Sequence, residues 1–317
     1  GPGRWILALP AHHIAGLQVL VRSIVARTDP VLLDRSGGFR PGPFADAVAG
    51  ALSRRPTGLL SDGRDGRALP LYVSLVPTQV ARLLDHREGT LALARCAAVM
   101  VGGAALPPRL RERAEEAGVR LIATYGMSET AGGCVYDGRP LPGTRIRIDG
   151  DGRILLGGPT LALGYLGEPE LTASAFLEDG DGERWFATDD LGEWRADGRL
   201  HVLGRRDEMI VTGGLKVHPR VVEDAVLSRF PRVRQAVAVG VPDPEWGQVV
   251  AVTVTADPTG SGPTLEQLRA GLRGALPAYA LPRRVAQLRQ LPERGPGKPD
   301  RAALRRLHTG PGGVPGE

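Results

Sequence analysis

The chain has 317 residues, 42% hydrophobic and 24% charged, which is a globular composition long enough for about two domains and a substantial core. Its net charge of +5 (40 basic against 35 acidic residues) is mild, and the arginines are scattered rather than interleaved with aromatics, so a nucleic-acid surface is excluded. No apolar run reaches the length of a membrane span, and Cys96 and Cys134 lie outside any metal or disulfide pattern, so a reduced cytoplasmic setting is expected.

Residues 1–10 lack the basic start and long apolar core of a signal peptide, and Trp5 to Leu9 reads as a buried strand stopped by Pro10. Residues 11–16, AHHIAG, form a turn into an apolar helix from Leu17 to Ala26. Two histidines at such a turn can be ligands, bases or pocket walls, or one can simply cap the turn. As neighbours, their rings are expected to point apart, against a shared metal. A Gly/Pro loop covers Arg35 to Pro43, a short helix Phe44 to Ser53, and a polar loop Ser61 to Arg67. Leu71 to Leu75 is a strand, and Pro77 and Thr78 open a helix with apolar residues at Val80, Leu83 and Leu84.

Cys96 to Val101 reads as a buried strand ending in Gly102-Gly103-Ala104-Ala105, followed by a charged helix from Pro107 to Ala117 and a strand from Val119 to Ala123. Strand, glycine turn, helix and strand make a βαβ unit, and ligands of such folds collect beyond the carboxyl ends of the strands. Two strand ends therefore point to one place: residues 102–105 and the loop 124–130, TYGMSET. That loop offers an aromatic face, hydroxyls at Thr124, Ser128 and Thr130, and one carboxylate, Glu129. Hydroxyls and backbone amides suit phosphate oxygens, and a single carboxylate suits a Mg²⁺ that phosphates also hold. The plainer reading is a helix start capped by Ser128 or Thr130. A serine-hydrolase elbow is rejected, because Thr130 stands where its second glycine belongs.

Beyond Arg139 the pattern becomes short strands at 145–148, 153–156, 184–187 and 200–203, with a helix near Leu171 to Phe176. Asp189 and Asp190 follow the third of these; such a pair is either a plain turn or a carboxylate for ribose hydroxyls. Residues 204–219, GRRDEMIVTGGLKVHP, combine a Gly-Arg-x-Asp entry, a β-prone run and a double glycine, as a hinge followed by a hairpin would. After it come a helix from Arg220 to Arg229, strands at 236–241 and 249–255, and a helix from Leu265 to Leu276. The loop 291–298 carries Lys298, and the chain's other lysine is Lys216; both fall in glycine loops. A compact, rotatable ammonium is what a moving loop can bring to developing negative charge.

In order, Gly102–Leu106, Tyr125–Thr130, residues 157–172 (GGPTLALGYLGEPELT), Phe186–Asp190, Gly204–Pro219 and Pro292–Lys298 resemble the motifs of the adenylate-forming superfamily of acyl-CoA synthetases, peptide-synthetase adenylation domains and luciferases. Residues 9–18 (LPAHHIAGLQ) and 74–79 (SLVPTQ) are similar to the o-succinylbenzoate–CoA ligases of menaquinone biosynthesis, actinobacterial type. The resemblance implies ATP-dependent activation of a carboxylate to an acyl-adenylate, then thioester formation with coenzyme A. Its partners are thus a small carboxylic acid, ATP, Mg²⁺ and coenzyme A, with a homodimer left open. It implies Glu129 as Mg²⁺ ligand and Ser128 as phosphate contact. Gly102, Gly103, Ala104, Thr124, Tyr125 and Gly126 are placed around the nucleotide, and Asp190 and Arg205 at the ribose. Lys298 stabilises charge at the α-phosphate, Asp207 is the hinge, and Gly213, Gly214 and Lys216 face coenzyme A. His13, with Ser74 and Thr78, lines the acyl pocket.

The implied fold is α/β: residues 1–206 form a partial, N-terminally truncated large domain lacking its first layer, with βαβ sheets and a small β-barrel region, 207–309 an α+β lid, and 310–317 a disordered tail. Two departures stand out. The usual Thr-Gly-Asp triplet reads Thr188-Asp189-Asp190, and the family's Ser/Thr/Gly-rich phosphate loop with its lysine, expected upstream of His13, is not among these residues. Weak or no adenylation by this polypeptide alone is therefore expected, and a non-catalytic nucleotide- or acyl-binding homologue and a generic acyl- or aryl-CoA ligase remain alternatives.

Overall fold

The computed structural model describes residues 3–53, 69–256, 261–294 and 298–310. The polar loop expected at 61–67, the tail from 311 and the middle of the lysine loop at 295–297 lie outside the described residues. The chain forms two compact units: Gly1–Leu106, Leu110–Ile146 and Leu156–Phe186 make the first, and Pro107–Arg109, Arg147–Leu155 and Ala187–Glu317 the second.

In the first unit the chain runs β1 (Arg4–Leu7), α1 (Ile14–Ala26), β2 (Val31–Leu32), α2 (Pro41–Ser53), β3 (Leu71–Leu75), α3 (Pro77–Leu84), α4 (Arg87–Ala94), β4 (Ala98–Val101), α5 (Pro108–Glu116), β5 (Leu121–Met127), β6 (Gly132–Tyr136) and β7 (Arg139–Pro140). Its sheet has the order β2-β1-β3-β4-β5-β6-β7. Pairing is parallel through β5 and antiparallel for β6 and β7. Strands covered on both faces need no polar alternation, which is why Leu71–Leu75 is almost wholly buried. Ile6, Val73, Val99 and Leu121 pack with Phe44 and Val48 of α2, Leu83 of α3, Leu93 of α4 and Leu110 of α5.

The expected helix at Leu17 begins three residues earlier, at Ile14. Gly16 permits it: a Cβ there would lie 2.1 Å from the Pro10 carbonyl oxygen, so the preceding turn folds directly onto the first helical turn. The helix α4, Arg87–Ala94, was not read from the sequence. A Cβ at Gly89 would lie 2.6 Å from the Leu83 carbonyl oxygen, so the glycine is what lets α4 follow α3 so tightly.

Next come β8 (Arg145–Ile148), β9 (Arg153–Gly157), α6 (Pro169–Ala175), β10 (Phe176–Glu178), β11 (Arg184–Trp194) and β12 (Leu200–Arg205). These strands form a sheet of order β10-β11-β9-β8, with β12 paired to β11. The strand expected to end at Ala187 continues to Trp194, so Asp189 and Asp190 are strand residues, not a turn. Pairing with β12 overrides the poor strand propensity of aspartate.

The rest of the second unit contains β13 (Ile210–Thr212), β14 (Leu215–Val217), α7 (Pro219–Arg229), β15 (Val233–Asp243), β16 (Gly247–Ala256), α8 (Leu265–Leu272), β17 (Arg284–Gln287) and α9 (Arg301–Thr309). Side chains alternate across β15. Ala236 and Ala238 meet Val222 and Val226 of α7 and Leu268 of α8, while Val237, Val239 and Val241 meet Leu304 of α9. The helix α9 was not read from the sequence, because RAALRRLHT is mostly arginine and alanine and buries just Leu304 and His308.

His308 is 1% exposed, its Nε2 lies 2.9 Å from Thr253 Oγ1, and its Nδ1 has no partner among the described residues. Burial, aided by the Arg284 guanidinium, lowers its pKa from 6.5 to about 4. A histidine kept neutral in the fold binds fewer protons there than in the unfolded chain. Its stabilisation is complete above pH 6.5 and is lost as the pH falls towards 4. In denaturant unfolding at pH 7 and at pH 4.5, the second unit should lose on the order of 2 kcal/mol more than that of a His308→Gln variant. Equal losses would contradict this.

Candidate active site

The ends of β4 and β5 are locked side by side. A Cβ on Gly102 would lie 2.4 Å from Thr124 Oγ1, and that hydroxyl donates to the Val101 carbonyl at 3.3 Å. Gly103, at φ +79°, and Ala104 continue as an exposed ledge. Thr124 and Tyr125, expected in a loop, belong to β5, opposite Tyr136 and Val135 of β6. Gly126 is required by close approach: a Cβ there would lie 2.1 Å from the Gly132 carbonyl oxygen.

No α-helix follows, contrary to the capped-helix expectation. Ser128–Thr130 is one turn of 3₁₀ helix, and Ala131 at φ +53° returns the chain into β6. Thr130 is 1% exposed; its hydroxyl accepts from the Met127 amide at 3.0 Å and donates to the Gly132 carbonyl at 2.7 Å. Its cap thus closes a reverse turn. The corner leaves Ser128 exposed and Glu129 half-buried, with Tyr165 donating to Glu129 Oε1 at 2.8 Å.

Glu129 fits Mg²⁺ in the way a phosphate-bound ion needs. Magnesium uses one or two carboxylates and takes its remaining oxygens from phosphates and water. Among the described residues no group of three or more His, Cys, Asp or Glu side chains could make an all-protein cage.

In the second unit, Asp190 of β11 stands opposite Arg205 of β12. Arg205 donates to both Asp207 oxygens, from Nε at 2.8 Å and Nη2 at 3.0 Å, and reaches Asp189 Oδ2 at 3.4 Å. This fork holds Asp207 below the usual carboxylate range and pushes the Arg205 guanidinium up. Two partners escaped sequence reasoning. Arg153 donates to the carbonyls of Ala187 and Thr188, and the buried Thr188 hydroxyl accepts from the Asp190 amide at 3.0 Å and donates to the Ile154 carbonyl at 2.8 Å.

Glu208, next to Asp207, pairs with Arg301 at 2.9 Å, and Arg301 also pairs with Glu223 at 2.8 Å. Burial disfavours the Arg301 charge, but the two carboxylates outweigh it and raise its pKa. The expected hairpin is present: Gly213 and Gly214, at φ +54° and +76°, join β13 to β14, and Lys216 is exposed. The Gly213 amide donates to the Trp246 carbonyl at 2.9 Å, and a Cβ there would lie 2.8 Å from the indole ring. Lys298 is exposed on a loop closed by the Arg294 amide on the Lys298 carbonyl and the Asp300 amide on the Pro292 carbonyl, both at 2.7 Å.

Back in the first unit, His13 occupies the N-cap position of α1 without a side-chain cap bond and is exposed. Its ring lies 4.5 Å from that of His12, so the two rings do not point apart as expected. Ser74 is buried within β3, and Thr78 is half-buried on the first turn of α3. Cys96 and Cys134 are free and buried, and burial pushes the Cys96 thiol up to about 12, so neither is a poised nucleophile.

Residues 70–166 match the AMP-binding enzyme family, and residues 222–298 match the AMP-binding enzyme C-terminal domain. A probable 2-succinylbenzoate–CoA ligase of Mycobacterium tuberculosis is 44% identical over 312 residues, 98% of this chain and 76% of that protein. The o-succinylbenzoate CoA synthetase of Bacillus subtilis, solved with the acyl-adenylate intermediate OSB-AMP, superposes with a TM-score of 0.74 at 26% identity, over 96% of this chain and 61% of that one. ATP-bound MatB from Rhodopseudomonas palustris gives a TM-score of 0.80 at 25% identity, over 97% of this chain and 60% of that one. The order of motifs, the mixed α/β fold and the extent of this identity agree: the chain belongs to the AMP-binding, adenylate-forming enzymes.

Proposed function

We propose that the chain is an acid–CoA ligase that converts a carboxylic acid and ATP to an acyl-adenylate and then to a coenzyme A thioester, with o-succinylbenzoate of menaquinone synthesis as the acid. The observation that carries the reading is the corner at Ser128 and Glu129, an exposed hydroxyl and an oriented carboxylate beside a glycine ledge. The likeness to 2-succinylbenzoate–CoA ligases supplies the acid. Described helices include none long and apolar enough to cross a membrane. A cytosolic setting and a homodimer belong to the same proposal.

In the first step a carboxylate oxygen of the acid attacks the α-phosphorus of ATP and pyrophosphate leaves. In the second, the thiol of coenzyme A attacks the acyl carbonyl and AMP leaves. Glu129 would hold Mg²⁺, which when bound would neutralise phosphate charge. Ser128 donates to a phosphate oxygen, Asp190 accepts from ribose hydroxyls beside Arg205, and Gly102, Gly103, Ala104, Thr124, Tyr125 and Gly126 wall the nucleotide. The ammonium of Lys298 meets the charge that develops at the α-phosphate. Residues 207–309 act as a lid pivoting at Asp207, which exchanges Lys298 for the hairpin carrying Gly213, Gly214 and Lys216. His13, Ser74 and Thr78 contact the acid.

Incubation with ATP, Mg²⁺, coenzyme A and a panel of carboxylates, followed by mass spectrometry, should yield the thioester of o-succinylbenzoate before others. Thioester formed from another acid in preference to o-succinylbenzoate would overturn the choice of acid. Lys298→Ala should slow pyrophosphate release by about 10²–10³-fold. Gly214 sits at φ +76°, a backbone conformation that strains a β-branched residue although space is open around it, so Gly214→Val should leave pyrophosphate release intact and depress thioester formation. Equal loss in both steps would contradict the division of labour between the two loops.

A further inference from the structure

Tyr165 sits in a segment, residues 158–168, that crosses the Ser128–Thr130 corner and is fixed from several sides. The Ala162 amide donates to the Glu129 carbonyl at 2.8 Å, so the segment is tied to the backbone of the residue whose side chain Tyr165 also holds. The Tyr165 amide donates to Thr172 Oγ1 at 2.9 Å, and a Cβ on Gly164 would lie 2.5 Å from Thr172 Cγ2, so the segment packs hard against α6. The Tyr165 ring meets Phe176 edge-on, with centroids 5.8 Å apart. Arg184 stacks over Phe176 at 4.4 Å and donates to the carbonyls of Ala162 and Leu163, each at 2.7 Å. Meanwhile Leu163 and Leu166 stand almost fully exposed, so apolar burial of these two side chains is not what holds the segment down.

The bond to Glu129 has a specific chemistry. A glutamate has three rotatable side-chain bonds and, half-exposed at a corner, would sample many orientations. A phenol hydroxyl restrains one carboxylate oxygen without cancelling its charge. An arginine or lysine in the same place would compete with a bound cation. Among the described residues Glu129 has no ion-pair partner, although arginines outnumber lysines overwhelmingly in this chain. The carboxylate is therefore oriented but not neutralised.

We propose that Tyr165 is a positioning residue whose hydroxyl holds the Glu129 carboxylate in the orientation that receives a divalent cation carried by the phosphates of a nucleotide. This rests on the nucleotide reading above. Residues that orient a metal ligand set metal affinity without touching the metal, and removing one costs about 10–100-fold in affinity. The contacts proposed for the nucleotide at the glycine ledge do not pass through Tyr165.

The test is the affinity of the 317-residue chain for ATP, measured by calorimetry in EDTA and again in excess Mg²⁺, with Mn²⁺ bound in the presence of ATP followed by electron paramagnetic resonance. Tyr165→Phe keeps the ring and removes only the hydroxyl. It should leave the affinity in EDTA unchanged, reduce the Mg²⁺-dependent gain about 10-fold, and weaken Mn²⁺ binding to match. Glu129→Gln should abolish the gain. A full Mg²⁺ gain in Tyr165→Phe would overturn the positioning role and leave the nucleotide reading standing. An equal loss of affinity with and without Mg²⁺ would show a merely structural brace and overturn it as well. If the unsubstituted chain shows no Mg²⁺ gain at all, the nucleotide reading falls and the role of Tyr165 with it.

Discussion

The hydroxyl of Thr130, sealed between the Met127 amide and the Gly132 carbonyl, is the contact on which the candidate site depends. It turns β5 into β6 within a few residues, at the point where the sheet changes from parallel to antiparallel pairing. A buried hydroxyl without partners would cost about 1–3 kcal/mol, so its pairing holds the corner in one shape. The backbones of β5 and β6 approach so closely at Gly126 that no side chain fits. With the corner fixed in this way, Ser128 and Glu129 have nowhere to go but outward. Their availability to a ligand is a consequence of how the turn is buried, not a separate feature.

The second unit shows a complementary economy of charge. Asp189, Asp190 and Asp207 fall within one short stretch of paired strand and 3₁₀ turn, where their mutual repulsion would be unfavourable in isolation. Arg205 and Arg153 thread between them through a fork to Asp207, long pairs to Asp189 and bonds to the carbonyls of Ala187 and Thr188. Most of these groups are partly exposed, so the network contributes orientation more than stability. The Arg301 pairs with Glu208 and Glu223 are more deeply set, and they tie the residue after Asp207 to the helix that follows the Lys298 loop.

Much of this was legible in the residues. Leu71–Leu75, the Pro77 helix start and the double-glycine hairpin each carry local signals strong enough to survive folding. The motif order also placed Glu129, Asp190 and Arg205 among the functional candidates. What stayed hidden depended on partners distant in sequence. Nothing near Asp189 and Asp190 announces a strand; only pairing with β12 makes one. Tyr165 lies 36 residues from Glu129, and Arg184 reaches back to Ala162 and Leu163. The helix α9, rich in arginine, gains its apolar partners only when β15 is formed beneath it. Gly89 shows the same dependence, since its close approach to the Leu83 carbonyl exists only once α3 and α4 are packed.

Hydrogen–deuterium exchange of the chain with and without MgATP tests the nucleotide assignment most directly. Protection is expected at residues 102–106, 124–130, 188–190 and 204–208, with strand β17, which carries none of the named site residues, unchanged. Exchange that is unaltered at the Ser128–Thr130 corner while ATP is demonstrably bound would contradict the assignment.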